Sequence, residues 1–227
     1  MRKFGCICPS VINLPWDLAA AIEPDLAVAV VTLNVRNGRP GEQERAIGIM
    51  RGATDVLIDE GCEAIVVMGV PVSAKRGFAA ERDALNALTA DRGSVPITSA
   101  LAASAVALRG RGVRRPLLVT QYAPDVNALL VDFYRAAAGI ECAGAVGLGA
   151  GNAAQVNALK TSDFYDLAQR AFREHGSADG IFLSARGNMC ENASNLEREL
   201  GVPVLDQILA GVWWARFELS APLTIER

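Results

Sequence analysis

Short apolar runs alternate with stretches of helical spacing along almost the whole chain, and this alternation constrains the fold more than any other feature. FGCIC (4–8), VAVVTL at the centre of 26–35, AIVVM (64–68), PLLVT (116–120) and GIFLS (180–184) have the length and composition of buried strands. Residues 42–60 place Ile47, Met50, Val56 and Leu57 at roughly helical spacing and stop at Gly61. Helices are also expected over 77–90, 99–109 (Ala-rich, with Ser99 as its cap), 125–138, 162–174, 192–200 and 208–217. Shorter helical pieces are expected at 17–22 and 153–159, and further strands at 96–98, 141–148 and 202–204. Such alternation implies parallel sheets joined by right-handed crossovers. The pattern begins again at Pro116. The expected organisation is therefore two similar α/β halves, residues 1–95 with 206–227 and residues 96–205, with a ligand cleft between them.

In open α/β proteins the carboxyl ends of the strands hold the ligand, because backbone N–H groups and helix dipoles converge there. IFLSARGNMC (181–190) has this form: a strand ending at Ser184, a polar turn at Arg186-Gly187-Asn188, then a helix from Asn192. Three more strand ends match it: Pro9-Ser10, Gly69-Val70-Pro71 and Gln121-Tyr122. The four loops are expected to face one small-molecule site. Arg186 at a strand end needs solvent or an anion to offset its charge. The Tyr122 hydroxyl either reaches the cleft or packs against a neighbouring helix.

Composition narrows the ligand. The net charge is −3 with no basic tract, which argues against nucleic acid. No apolar run approaches the ~20 residues of a membrane helix. Met1-Arg2-Lys3 ahead of FGCIC imitates a signal peptide, but the apolar part is too short and Pro9 interrupts it, so a first strand is expected. Five cysteines at irregular spacing fit reduced thiols in a cytoplasm. Cys6 and Cys8 share one face of a strand, where packing is the expected role. With His175 as the sole histidine and no second cysteine pair at ligand spacing, no metal site is expected. Gly149-Ala150-Gly151-Asn152-Ala153-Ala154 fits a dinucleotide-loop spacing, but no strand with an acidic end follows, so it reads as a loop. There is no phosphate-binding G-x-x-x-x-G-K and no nucleophile elbow, and His175 reads as a helix terminus.

MGVPVSAKRG (68–77), GVRRPLLVTQYAPDVN (112–127), DGIFLSARGNM (179–189) and LGVPVLDQILAGVWW (200–214) resemble, in order and spacing, the arylmalonate decarboxylase and maleate isomerase branch of the aspartate/glutamate racemase superfamily. The resemblance covers nearly the whole chain. It implies two pseudo-symmetric flavodoxin-like α/β halves with the active site between them. It also implies no cofactor, an enediolate held by backbone and hydroxyl donors, and one or two cysteines that move the proton. The departures are specific. Gly69 stands where two-cysteine members have their first thiol. Ala185, or Arg186 on the isomerase pattern, stands where the second-half thiol is expected. Val70 and Pro71 replace the hydroxyl pair that helps bind carboxylate. Pro9-Ser10, Gly69, Tyr122, Ser184 and Gly187 remain. Cys190, near a helix N-terminus that would favour thiolate, is a candidate relocated proton carrier or nucleophile; its alternative is a small packing residue.

The expectation is thus a cofactor-free cytoplasmic enzyme acting on a small carboxylate or related carbonyl compound, a lyase or isomerase. Tyr122, Ser184 and Cys190 would do the chemistry, and the four strand-end loops would bind. The main alternative is a hydrolase that opens an amide, imide or lactam with activated water. Others are a decarboxylase inactivated by replacing its cysteine with Ala185, and a non-catalytic binding protein for a small acid. Homo-oligomerisation is left open.

Overall fold

The computed structural model describes residues 2–9, 26–35, 41–93, 95–151, 153–185 and 189–220. β1 (Arg2–Cys8), β2 (Leu26–Thr32), β3 (Ala64–Val67) and β4 (Ile97–Ser99) form a parallel sheet in the order β2-β1-β3-β4. β5 (Pro116–Thr120), β6 (Gly144–Gly147), β7 (Gly180–Ser184) and β8 (Val204–Asp206) form a second one, in the order β6-β5-β7-β8. In both sheets the strand order reverses after the first two strands. A reversal sends neighbouring connections to opposite faces and opens a crevice at the carboxyl strand ends. Pro9 and Gly69 lie at one reversal, and Gln121-Tyr122 and Ser184-Ala185 at the other.

The strands alternate their side chains as the pleat demands, and both faces are covered, as parallel sheets require. On one face of the first sheet, Ile7, Ile65 and Val67 meet Leu57 of α1 (Glu42–Asp59) and Leu85 of α3 (Phe78–Thr89). On one face of the second, Leu117, Val119, Ile181 and Leu183 meet Phe164 of α7 (Thr161–Glu174) and Leu196 of α8 (Cys190–Leu200). The other two faces share their cover, α4 (Ala100–Gly110) and α9 (Gln207–Ser220). Ala100 and Ala103 of α4 pack with Cys6 and Val66 of the first sheet. Leu101, Ala105 and Leu108 of the same helix pack with Leu118 and Phe182 on the second. In α9, Val212, Trp214 and Ala215 join the first group and Ala210 the second. The alanine content of α4 follows from this position, since a helix packed on two sides has room for few large side chains. α5 (Pro124–Ala138) completes the inner layer with Leu130, Phe133 and Tyr134. The Tyr134 hydroxyl lies 2.6 Å from Ser104 Oγ, so this buried polar group is satisfied.

Several expectations change. Residues 70–76 form a helix, α2 (Val70–Arg76), where the sequence suggested only an exit loop. Gly69 supplies a positive φ of 129° before it, and Pro71 sits in its first turn, where a missing N–H is harmless. β4 belongs to the first sheet, so a boundary at 95/96 cuts off that sheet's last strand. The second sheet ends at 206 because β8 lies two residues later than expected. Val56 of α1 is exposed, since Ala46, Ala53 and Leu57 form its buried stripe. The expected helix at 17–22 lies outside the described residues.

The shared layer predicts low tolerance at its thinnest points. Ala103→Leu should lower unfolding free energy in urea by ~1–3 kcal/mol through overpacking. An unchanged midpoint would mean that α4 is not held between two sheets.

Candidate active site

β5 and β7 end side by side, with Thr120 opposite Ser184, both fully buried. Thr120 Oγ1 donates to Asn127 Oδ1 (2.6 Å) and accepts from the Tyr122 N–H (3.0 Å), which turns the chain sharply after the strand. The Gln121 N–H donates to the Ser184 carbonyl (3.1 Å), carrying the ladder one step past the sheet. From the other side, the Gly149 and Ala150 N–H groups donate to the carbonyls of Tyr122 (3.3 Å) and Gln121 (2.8 Å). Gly147 makes this approach possible, because a Cβ there would stand 2.1 Å from the Tyr122 carbonyl oxygen. The 149–151 glycine loop therefore braces Tyr122. Its third member is held in turn, by a bond from the Gly151 N–H to Gln155 Oε1 (2.8 Å).

Tyr122 is 8% exposed and packs with Val70, Ala74 of α2 and Leu130. Burial pushes its phenol up to about 12, against the opposite pull of the Ser184 hydroxyl and the Gln121 side chain. At neutral pH Tyr122 is thus a hydrogen-bond donor and not a base. The Ser184 hydroxyl is fully buried and, among the described residues, has no partner at normal hydrogen-bond geometry, although it lies near enough to the phenol to influence its ionisation. A buried hydroxyl left without a partner costs about 1–3 kcal/mol, so it marks a place where a polar ligand or water is expected. The two readings of Tyr122 thus combine: the ring packs in the core while the hydroxyl sits beside this unpaired serine.

Ala185, at the position expected for a thiol, buries its methyl with Leu183, Met189 and Ala193. Its carbonyl accepts from Gln207 Nε2 (2.7 Å), which ties the end of β7 to the start of α9. Asp206 Oδ1 accepts the N–H groups of Ile208 (2.8 Å) and Leu209 (2.6 Å) and fixes that start. Across the molecule, Gly69 is constrained by its backbone conformation and not by crowding, since only the Pro9 ring comes within 4.0 Å of a Cβ there. Val70 is buried and Pro71 lies within α2, and neither hydrocarbon side chain carries a donor. α2 is pinned by the buried Glu81 of α3, whose carboxylate accepts from Ser73 Oγ and Arg76 Nη1, both at 2.7 Å. The Pro9 carbonyl accepts from the Val35 N–H (2.7 Å).

Ser10, Arg186, Gly187 and Asn188 lie outside the described residues. Of Cys190 only the backbone is described; it is the first residue of α8. Thr120, Asn127, Gly147 and Gln207 were not singled out from the sequence. A glycine within the β6 run was the one local signal for a close backbone approach. Nothing local marks Gln207, whose partner lies 22 residues away.

With this geometry in place, comparison with known proteins decides the family. The sequence model described as "Arylmalonate decarboxylase" matches residues 5–224. The chain belongs to the arylmalonate decarboxylase family. An arylmalonate decarboxylase of Bordetella bronchiseptica is 31% identical over 210 residues, 92% of this chain and 87% of that protein. The unliganded structure of an arylmalonate decarboxylase superposes with a TM-score of 0.81 at 30% identity, covering 97% and 94% of the two chains. A maleate cis-trans isomerase mutant of Nocardia farcinica with a covalently bound succinylcysteine intermediate shares the fold at 19% identity, with a TM-score of 0.83 and coverage of 97% and 94%. The family takes its name from a decarboxylase, an enzyme of the lyase class. None of these relatives is a hydrolase, and the hydrolytic alternative finds no support in them. Among the described residues, no helix is long and apolar enough to cross a membrane.

The buried phenol has a measurable consequence in alkali. An unfolded tyrosine ionises near 10, whereas folded Tyr122 keeps its proton to about 12. Between these values the folded state binds the extra proton, so this contribution to stability falls as pH rises. Tyr122→Phe removes it. Relative to wild type, the variant should gain stability in denaturant titrations as pH rises through that window, and a constant difference would contradict a buried phenol.

Proposed function

We propose that this protein is a cofactor-free decarboxylase of a small malonate-type dicarboxylate whose α-carbon carries an aryl or similarly carbanion-stabilising group. The observation that carries this reading is the placement of a buried Ser184 hydroxyl, without a partner among the described residues, beside a neutral, buried Tyr122 phenol at one strand-end crevice. Loss of one carboxylate as carbon dioxide leaves an electron pair on the α-carbon, which delocalises into the remaining carboxylate as an enediolate. Two donors aimed at those oxygens stabilise the charge most where water is excluded. Both hydroxyls keep their protons at neutral pH and can serve as such donors. Pro9, Gly69, Val70 and Pro71 form the facing wall in this reading, the last two as apolar surface for the substituent. Arg186, by the sequence argument alone, supplies positive charge for the retained carboxylate.

Isomerisation through a covalent cysteine fits less well. The Nocardia isomerase mutant carries a succinylcysteine. Here Gly69 and Ala185 occupy the strand ends at which the family resemblance places thiols, and the Ala185 methyl is buried among apolar side chains. Neither position offers sulfur for addition to an alkene.

The test uses phenylmalonate as probe, with phenylacetate and carbon dioxide measured as products. Wild type should release them in equal amounts. Tyr122→Phe and Ser184→Ala should each lower kcat by ~10²-fold or more, the usual cost of an oxyanion donor. Full activity in both variants would reduce these residues to packing, and failure to turn over any aryl- or alkenylmalonate would reject the reading.

A further inference from the structure

The chemistry above leaves an enediolate without a proton donor, and two thiols at the end of β1 have no role in it. Cys6 and Cys8 lie two apart on β1 and point into the shared inner layer. Their sulfurs are 3.5 Å apart, and both side chains are buried, Cys8 to 1% exposure. Cys8 is the last residue of the strand and precedes Pro9, whose ring faces Gly69.

The two sheets place Cys8 in a specific relation to Ser184. Phe4 pairs with Ala64 in the first sheet as Pro116 pairs with Gly180 in the second. Counting along the strands from these pairs, Cys8 takes the place that Thr120 holds in the other half. Each sits at the carboxyl end of its strand, on the face turned toward α4 and α9. Val70, which follows Gly69, lies in the same buried cluster as Tyr122, so the carboxyl ends of β1 and β3 adjoin the Tyr122 side of the crevice. Among the described residues there, Pro9, Met68, Gly69, Val70 and Pro71 carry no acidic proton on their side chains, and Cys8 does.

We propose that Cys8 protonates the α-carbon of the enediolate, with Cys6 as its positioning partner. This rests on the decarboxylase reading. The bond to the departing carboxylate breaks first and its electron pair stays on carbon. The Cys8 S–H bond then breaks as the new C–H bond forms, and the sulfur keeps the S–H pair as thiolate. The Cys6 S–H donates to that thiolate, and water returns the proton once product has left. The asymmetry of the pair supports this assignment. The Cys6 hydrogen bond draws the Cys8 thiol below its usual range despite burial, whereas Cys6 is pushed well up. Among the described residues, no titratable group other than Cys6 shifts Cys8. A thiol buried in an apolar layer is ordinarily a poor acid, so the second sulfur is what suits Cys8 to the task.

The experiment measures phenylmalonate decarboxylation by wild type, Cys8→Ala, Cys8→Ser, Cys6→Ala, Cys190→Ala and Cys142→Ala, with circular dichroism and melting as checks on folding. Cys8→Ala should lose ~10²–10⁴-fold in kcat, the range for a general acid. Cys142→Ala should match wild type. In wild type kcat should fall as pH rises through the Cys8 pKa, and Cys6→Ala should move that limb to higher pH. A role for Cys6 in packing alone would leave the limb in place. Wild-type turnover in folded Cys8→Ala or Cys8→Ser overturns the proposal, as does a loss confined to Cys190→Ala. Should the Cys8 variants not fold, bromoacetate inactivation of wild type decides. Carboxymethylation of Cys8 that tracks inactivation and is slowed by phenylacetate supports the proposal, and label on another residue overturns it. A wild type that forms no phenylacetate rejects the decarboxylase reading itself, whereas an active wild type with an equally active Cys8→Ala rejects only this step.

Discussion

Two parallel sheets share one layer of helices, and the rest of the molecule follows from that. α4 and α9 each bury side chains against both sheets, so the two inner faces belong to one continuous interior. The helices can lie there because the contacts are small: Ala100, Ala103, Ala105 and Ala107 of α4, and Ala210 and Ala215 of α9, are all essentially inaccessible. Strands buried on both faces have little use for polar side chains along their length. Polar chemistry is pushed to the carboxyl ends, where the ladder stops and the strand order reverses. Thr120, Ser184, Tyr122 and Cys8 all stand at such ends.

Burial gives these groups their chemical character. In a low-dielectric setting a satisfied hydrogen bond is strong and an unsatisfied one is costly. Thr120 is satisfied by Asn127 and the Tyr122 backbone, and so has a structural task. Ser184, its neighbour across the ladder, has no such partner among the described residues. The same low dielectric keeps the Tyr122 phenol neutral. One face of the crevice thus holds two protonated hydroxyls, the donors of the proposed reaction, while the positions at which the family resemblance places thiols, Gly69 and Ala185, offer no side-chain acid. The fold constrains Gly69 by its left-handed φ and fills the space beside Ala185 with Met189 and Ala193.

Much of this was legible in the sequence because a buried strand announces its own end. In PLLVT-QY and GIFLS-A the apolar run stops at or just before a polar residue, so the places of Tyr122 and Ser184 at neighbouring strand ends could be read from spacing. Features that depend on distant neighbours could not. Gly69-Val70-Pro71 carries signals common to a loop and to a helix start, and α2 becomes a helix with its flank fastened by Glu81 of α3. In α1 the large apolar Val56 suggested a buried position, but the small Ala46 and Ala53 define the face that meets the sheet. That Ser184 lacks a partner among the described residues, that Gln207 holds the Ala185 carbonyl, and that Val70 reaches the Tyr122 layer from the other half are tertiary facts with no local trace.

The central claim is that Ser184 and Tyr122 together bind the oxygens of a substrate carboxylate. A crystal structure of the protein with phenylacetate, the expected product, tests it most directly. The account predicts one carboxylate oxygen or both within hydrogen-bond distance of Ser184 Oγ and the Tyr122 hydroxyl, with the aromatic ring toward Val70 and Pro9. Phenylacetate bound at another site, with Ser184 Oγ bonded instead to a protein group, would contradict it.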